Sequence, residues 1–378
     1  MKNPKASLKV MVVIGTRPEA IKMAPVIKRL EATRRVCTRV VTTGQHREML
    51  HQVLRSFDVA PHCDLQIMRP NQTLARVAEA ALRGLDDVLT REKPDVVLVQ
   101  GDTSTSFIGS LAAFYHKIPV AHVEAGLRTW RRYDPFPEEI NRRLIAQIAD
   151  CHFAPTERAR ENLLAENIPP QDVYLVGNTS IDALRLKVRP DYTFHSQQLA
   201  QIPLTGARIL LVTTHRRENL GAPMRHIFGA LKRLAARYPD VHIVFPVHKN
   251  PSIRDLAQTM LAGQPRISVI EPLDYEDFVN LLARAHLVLT DSGGVQEEAP
   301  AVGKPVIILR RTTERPEAVE AGAGILAGTT EDEIIQHTAL LLDDPAQYAR
   351  MAQIRHPFGD GRASERIVNV LLERFGES

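Results

Sequence analysis

Short apolar runs rich in Val, Ile and Leu alternate along the chain with longer stretches in which apolar residues recur every three or four positions. That alternation predicts strands separated by amphipathic helices, the pattern of parallel sheets with crossover helices. In the first half the predicted strands are Leu8 to Ile14, Arg39 to Thr43, Asp95 to Gln100, Val120 to Glu124, Cys151 to Phe153 and Val173 to Val176. In the second half they are Ile209 to Thr213, His242 to Val247, Ile267 to Ile270, His286 to Thr290, Pro305 to Leu309 and Gly324 to Leu326. Nearly every position in these runs is apolar, as strands covered by helices on both faces should be.

A polar stretch from Arg189 to Gly206 parts the two series, so the predicted class is α/β with two Rossmann-like domains. Residues 1–178 form the first and 179–360 the second, with Gly177 to Thr179 as the expected hinge. The last helix, Ala363 to Phe375 within 361–378, is expected to pack back on the first domain. A length of 378 residues agrees, since single cores stop growing near about 250 to 300 residues. Two such domains facing one another would bring the carboxyl ends of both sheets to a central cleft, where α/β proteins bind ligands.

Composition then removes whole classes. With 44% hydrophobic and 24% charged residues the chain can bury a substantial core and is far from the disordered class. No apolar run reaches the roughly 18 to 20 residues of a membrane span, and Met1 to Lys9 lacks the apolar segment of a signal peptide. No membrane association and a cytoplasmic location are therefore expected. Cys37, Cys63 and Cys151 are odd in number and widely spaced, which fits reduced thiols. The net charge of +4 is dispersed rather than gathered in a basic arm, so no nucleic-acid partner is expected.

The candidate chemistry clusters where predicted strands end. Gly15 to Lys22, G-T-R-P-E-A-I-K, turns a strand into a helix and sets Arg17 at the helix N-terminus, where an anionic oxygen would be held; an ordinary turn would look the same. G-x-G-x-x-G and G-x-x-x-x-G-K-[ST] are both missing, which argues against nicotinamide dehydrogenases and P-loop nucleotidases. No metal-ligand spacing is present, and neither a metal nor another cofactor is expected. Asp102 and Glu124 follow two strands of one sheet, and Glu138 follows the irregular segment Thr129 to Pro137. Gathered acids should repel one another and raise at least one pKa, although Asp102 could equally be a helix cap. In the second half His215 ends a strand, either as a chemical group or as a satisfied structural one. Ser292, Gly293 and Gly294 open a helix where a diphosphate could approach, with Glu298 one turn on to accept from ribose hydroxyls. Arg315, in T-T-E-R-P-E, either reaches a ligand or lies on the surface.

Taken together, G-T-R-P-E-A-I-K (15–22), Q-H-R-E-M-L (45–50), G-D-T (101–103), H-V-E-A-G-L-R-T (122–129), P-E-E-I-N-R (137–142), H-R-R-E-N (215–219), D-S-G-G-V-Q-E-E-A-P (291–300) and R-T-T-E-R-P-E (311–317) resemble the non-hydrolysing bacterial UDP-N-acetylglucosamine 2-epimerases. The resemblance runs from about residue 8 to 370. It implies the GT-B fold, a homodimer, and reversible inversion of carbon 2 of UDP-N-acetylglucosamine to give UDP-N-acetylmannosamine. By resemblance, Arg17 and Lys22 stand near the nucleotide phosphates, Asp102, Glu124 and Glu138 are acid/base carboxylates, and His215 is catalytic. Phe278 is on the uracil side, Ser292 to Gly294 form the diphosphate loop, Glu298 binds ribose, and Arg315 completes the nucleotide contacts. Gln45, His46 and Arg47 match a region where some members bind a second, activating UDP-N-acetylglucosamine. Gln100 stands where many members have His. Other readings within reach of the same fold are a hydrolysing epimerase, a GT-B glycosyltransferase and a non-catalytic UDP-sugar sensor. The expected route is loss of UDP to give 2-acetamidoglucal, followed by re-addition.

Overall fold

The first apolar run becomes β1 (Leu8–Ile14), in which Val10 through Ile14 are almost wholly buried. The computed structural model describes residues 7–44, 47–69, 72–354 and 357–376. Around β1 gather β2 (Val36–Thr42), β3 (Cys63–Asp64), β4 (Val96–Gln100), β5 (Val120–Val123), β6 (Cys151–Ala154) and β7 (Val173–Leu175). Among the described residues they make a seven-stranded sheet of order β3-β2-β1-β4-β5-β6-β7, with every pair parallel. Helix Leu74–Glu92 turns Val77, Ala81, Leu85 and Val88 onto one stripe, which packs with Met11, Val13, Val97 and Val99 of the sheet. Each such side chain taken fully out of water contributes about 1.5 to 3 kcal/mol.

The second series becomes β8 (Arg208–Thr213), β9 (Val241–Pro246), β10 (Ile267–Ile270), β11 (Leu287–Thr290), β12 (Val306–Ile308) and β13 (Gly324–Leu326). They form a parallel six-stranded sheet of order β10-β9-β8-β11-β12-β13. Ile227, Leu231 and Leu234 of helix Ala222–Arg237 close over Leu210, Val212, Ile243 and Phe245. Each sheet starts in its middle, runs to one edge and then reverses, which is the Rossmann order. The reversals lie between β1 and β4 and between β8 and β11, so ligand-binding residues are expected at the carboxyl ends of those strands.

The chain divides into one unit of Met1–Leu186 with Phe358–Ser378 and another of Lys187–Pro357. The division falls after Leu186, eight residues beyond the expected boundary at 178, because helix Thr179–Lys187 is fastened to the C-terminal segment. Asp182 of that helix accepts from the backbone N–H groups of Ala363 (3.2 Å) and Ser364 (2.8 Å) and from the Ser364 hydroxyl (2.5 Å). Gly177 to Thr179, the expected hinge, therefore lie inside the first unit. Gly177 has φ of +92°, and a Cβ there would meet the Gly359 Cα at 3.2 Å. Helix Ala363–Phe375 packs on helix Arg17–Glu31. Nor is the stretch after Arg189 a free linker. Asp277 accepts from the Tyr192 hydroxyl (2.9 Å) and from the N–H groups of His195 (2.9 Å) and Ser196 (2.8 Å), which seats that stretch on the second unit. Among the described residues no helix is long and apolar enough to cross a membrane.

Candidate functional site

In the first unit the chain leaves β1 through Gly15 and Thr16 and enters helix Arg17–Glu31. A Cβ on Gly15 would sit 2.1 Å from Thr105 Oγ1, so this turn admits only glycine. Glu19 reaches back across it. Its carboxylate accepts from the N–H groups of Gly15 (3.1 Å) and Thr16 (2.6 Å) and from the hydroxyls of Thr103 (2.8 Å) and Ser106 (2.9 Å). Burial pushes the Glu19 pKa upward, against the lowering effect of these bonds. One carboxylate thus ties the turn carrying half-buried Arg17 to the turn carrying Asp102.

Asp102 is not a helix cap. The cap of helix Ser104–Tyr115 is Thr103, whose hydroxyl oxygen accepts from the Ser106 N–H at 3.1 Å. Asp102 is free to meet Arg142, accepting from Nη2 at 2.5 Å and Nε at 3.1 Å, while its backbone carbonyl accepts from Asn141 Nδ2 at 2.9 Å. Glu124 follows β5 in a left-handed conformation, φ +63°, a placement that costs about 1 to 3 kcal/mol in a residue other than glycine. Both its oxygens accept from Lys22 Nζ, each at 2.6 Å, and Oε2 also accepts from the Gln100 side-chain amide. For Asp102 and Glu124 the expected mutual repulsion of acids is therefore not the governing interaction, because Arg142 and Lys22 each hold one of them. Lys22, expected near the phosphates, is held on Glu124. Half-buried Glu138 is the first residue of helix Glu138–Ile148 and shares a helix face with Asn141 and Arg142, three and four residues on. Its neighbour Glu139 has a structural duty, being wholly buried and accepting from the N–H groups of Thr129 (2.9 Å) and Trp130 (3.2 Å) and from Arg142 Nη1 (3.3 Å).

In the second unit the turn after β8 carries His215 and the turn after β11 carries Asp291 and Ser292. Asp291 has no exposed surface, and its carboxylate accepts from the Thr214 hydroxyl (2.7 Å), the N–H groups of His215 and Arg216 (3.0 Å each) and Asn219 Nδ2 (3.0 Å). Burial pushes the pKa of His215 down; Asp291 opposes this, and His248, stacked on it at 5.4 Å, and Arg216 reinforce it. Ser292 precedes helix Gly293–Ala301 as its N-cap, without a capping bond from its side chain. A Cβ on Gly293 would lie 3.7 Å from Arg216 Nη2 and 4.0 Å from Arg315 Cζ, while around Gly294 there is open space. Two guanidinium groups therefore flank the amide end of a helix, an arrangement that suits a diphosphate. Buried Glu297 holds Arg315 through Nε, and Glu298, 8% exposed, sits one turn past Gly294.

The structure thus brings together Arg17, Lys22, Asp102, Glu124 and Glu138 around the carboxyl ends of β1, β4 and β5, and His215, Ser292, Gly293, Gly294, Glu298 and Arg315 around those of β8, β11 and β12. Phe278 stands half-buried on helix Tyr275–Arg284. Gln45 and His46 lie outside the described residues, and Arg47 opens helix Arg47–Ser56. Reasoning from the sequence missed Glu19, Arg142, Arg216 and Asp291, all of which stood inside quoted motifs. Among the described residues one group could hold a metal ion, His195 with Asp274 and Asp277, but the Asp277 oxygens are already engaged by the three donors given above.

Residues 28–372 match the family model described as UDP-N-acetylglucosamine 2-epimerase. A Bacillus subtilis protein named UDP-N-acetylglucosamine 2-epimerase is 52% identical over 369 residues, covering 98% of this chain and 96% of its own length. Among solved structures, the UDP-GlcNAc 2-epimerase of Neisseria meningitidis bound to UDP-GlcNAc matches with a TM-score of 0.89 and 47% identity, covering 97% of this chain and 100% of the other. The Methanocaldococcus jannaschii UDP-GlcNAc 2-epimerase in complex with UDP-GlcNAc and UDP matches with a TM-score of 0.79 and 36% identity, at the same coverages of 97% and 100%. The expected class, α/β with two Rossmann-like domains, is the one these structures share.

Proposed function

Because the chain belongs to the UDP-N-acetylglucosamine 2-epimerase family, we propose that it reversibly inverts carbon 2 of UDP-N-acetylglucosamine, giving UDP-N-acetylmannosamine. The observation that carries the reading is the pairing of two acids with their own bases at adjacent strand ends, Asp102 with Arg142 and Glu124 with Lys22. Such pairs fix each carboxylate in one orientation beside a cationic hydrogen-bond donor, as a group that exchanges a proton at one face of a substrate requires.

Carbon 2 has no ring carbonyl beside it, so simple deprotonation would leave an unstabilised carbanion. Elimination avoids this. A carboxylate from the set Asp102, Glu124 and Glu138 takes the carbon 2 proton, and the C–H electron pair becomes the C1=C2 double bond of 2-acetamidoglucal. The C1–O bond breaks and its electron pair leaves on the β-phosphate of UDP. Protonation of carbon 2 from the opposite face, with the phosphate oxygen adding back to carbon 1, completes the inversion. The sequence is redox-neutral and balances without an electron carrier. Arg17, His215, Arg315 and the amides at Gly293 and Gly294 are proposed to receive the growing phosphate charge, each well-placed donor being worth roughly 3 to 4 kcal/mol. Lys22 serves Glu124 as much as any phosphate. Phe278 and Glu298 are assigned to uracil and ribose.

Proton NMR of UDP-N-acetylglucosamine with the protein in heavy water tests the reading. The expected product is UDP-N-acetylmannosamine carrying deuterium at carbon 2. Free N-acetylmannosamine and UDP would mean a hydrolysing enzyme, and no turnover without an acceptor would point to a transferase or a sensor. The family resemblance also supports a homodimer, a cytoplasmic location and activation by a second UDP-N-acetylglucosamine near Gln45 to Arg47. Light scattering and the shape of the rate curve against substrate test the first and the last of these.

A further inference from the structure

Asp291 belongs to the β11 turn, yet every donor given above for its carboxylate comes from the β8 turn: the Thr214 hydroxyl, the His215 and Arg216 amides, and the Asn219 side chain. Asn219 Nδ2 also reaches the Leu309 carbonyl at 3.0 Å, extending the same clamp to the end of β12. Asp291 Oδ1 lies 3.4 Å from Nδ1 of His215. A fully buried carboxylate is costly unless its charge is met, and the imidazole is the titratable base beside it. The other groups around the ring are the stacked imidazole of His248 and Arg216, whose guanidinium lies 3.7 Å from Glu314.

Resting on the epimerase reading, we propose that Asp291 is a positioning residue for His215: it holds one imidazole proton on Nδ1, so that a second proton goes to Nε2 and its N–H donates to the leaving diphosphate, and it locks His215 to the Ser292 turn. A carboxylate next to one ring nitrogen favours the tautomer protonated there. Since Asp291 is joined directly to Ser292, a shift of the imidazole would also move the amide end that receives the phosphate charge. Burial by itself disfavours the imidazolium, and Asp291 is the neighbour that opposes it.

The test is 15N-detected NMR of the histidine rings across pH in the whole chain, with His215 assigned by loss of its signals in His215→Asn. The wild type is expected to show the neutral Nδ1–H tautomer at His215. Asp291→Asn keeps the shape and one acceptor but removes the charge. It should populate the other tautomer, move the His215 titration to lower pH, shift the alkaline limb of the kcat profile the same way and lower kcat by about 100-fold. Thr214→Val removes a bond to the same carboxylate without changing its charge and should leave the tautomer as in wild type. An Nε2–H tautomer in the wild type overturns the proposal even if Asp291→Asn does not fold, as does an unchanged His215 titration in a folded Asp291→Asn. Because the ring signals are read without turnover, the expected tautomer in a protein that lacks epimerase activity would retain the positioning role and discard the reaction.

Discussion

At the scale of single residues, the acids of the first unit are distinguished by what holds them. Asp102 and Glu124 each face a base, Glu138 is half-buried at a helix start, Glu139 is spent on backbone N–H groups, and Glu19 bridges two turns. Groups used in the chemical step should lower kcat, whereas uniform binders raise KM. Asp102→Asn, Glu124→Gln and Glu138→Gln are therefore expected to cut kcat by about 100-fold or more with little change in KM. Glu298→Ala should mainly weaken UDP binding, by roughly 1.5 to 3 kcal/mol for lost bonds to a charged group. Steady-state kinetics and UDP titration calorimetry check the division, and near-normal kcat in all three carboxamide variants would overturn it. Asp102 and Glu124 were legible because each follows an apolar strand, and Glu138 because it follows the irregular segment Thr129 to Pro137. Asp291 and the bridging role of Glu19 were not, because a buried carboxylate is recognised by its donors: besides the two local N–H groups at Gly15 and Thr16, Glu19 takes hydroxyls 84 and 87 residues ahead, and Asp291 takes donors 76 and 77 residues behind.

At the scale of elements, the strands could be read to within three residues at their ends because most of them are runs of buried apolar residues. The exception is β3 (Cys63–Asp64), two residues at a sheet edge, too short to leave a periodic signal. The turns between strand and helix hold what sequence could not rank. Gly15 and Gly101 both follow strands, but a Cβ on Gly15 meets Thr105 and Thr43, whereas around Gly101, φ +69°, there is nothing within 4 Å. Gly15→Ala must push the β1 turn away from helix Ser104–Tyr115 and is expected to cost about 1 to 3 kcal/mol and most of the activity. Gly101→Ala meets only the backbone penalty, about 1 to 2 kcal/mol. Thermal unfolding with parallel assays separates them, and equal effects would show that crowding at Gly15 is unimportant.

At the scale of the whole molecule, several histidines are held neutral by burial. His122, whose ring lies 2.7 Å from the Gly101 carbonyl, is pushed down to about 3, His286 to about 4, and His152 and His242 also lie below the ordinary value. The unfolded chain takes up these protons first, near about pH 6.5, so stability rises with pH from about 3 to 6.5 and is lost as pH falls through that window. Glu19, raised by burial, acts in the opposite sense: the native state keeps its proton longer, which favours the fold at low pH. Four histidines outweigh one carboxyl, and the melting temperature is expected to fall between pH 7 and pH 5. His122→Asn should flatten that fall, by up to about 1.4 kcal/mol per pH unit if His122 accounts for it. Calorimetric scans at the two pH values check this, and identical slopes in variant and wild type would rule His122 out.

The first unit is finished by residues 358–378, which come after all of the second unit in the chain. Synthesis on the ribosome runs from the amino end, and domains usually fold in that order. Here the order of completion is reversed, because Asp182 cannot meet Ser364, nor Asn178 the Phe358 carbonyl, until the second unit has been translated. A nascent chain stalled after Pro357 should already protect β8 to β13 from protease while helix Thr179–Lys187 is still cleaved.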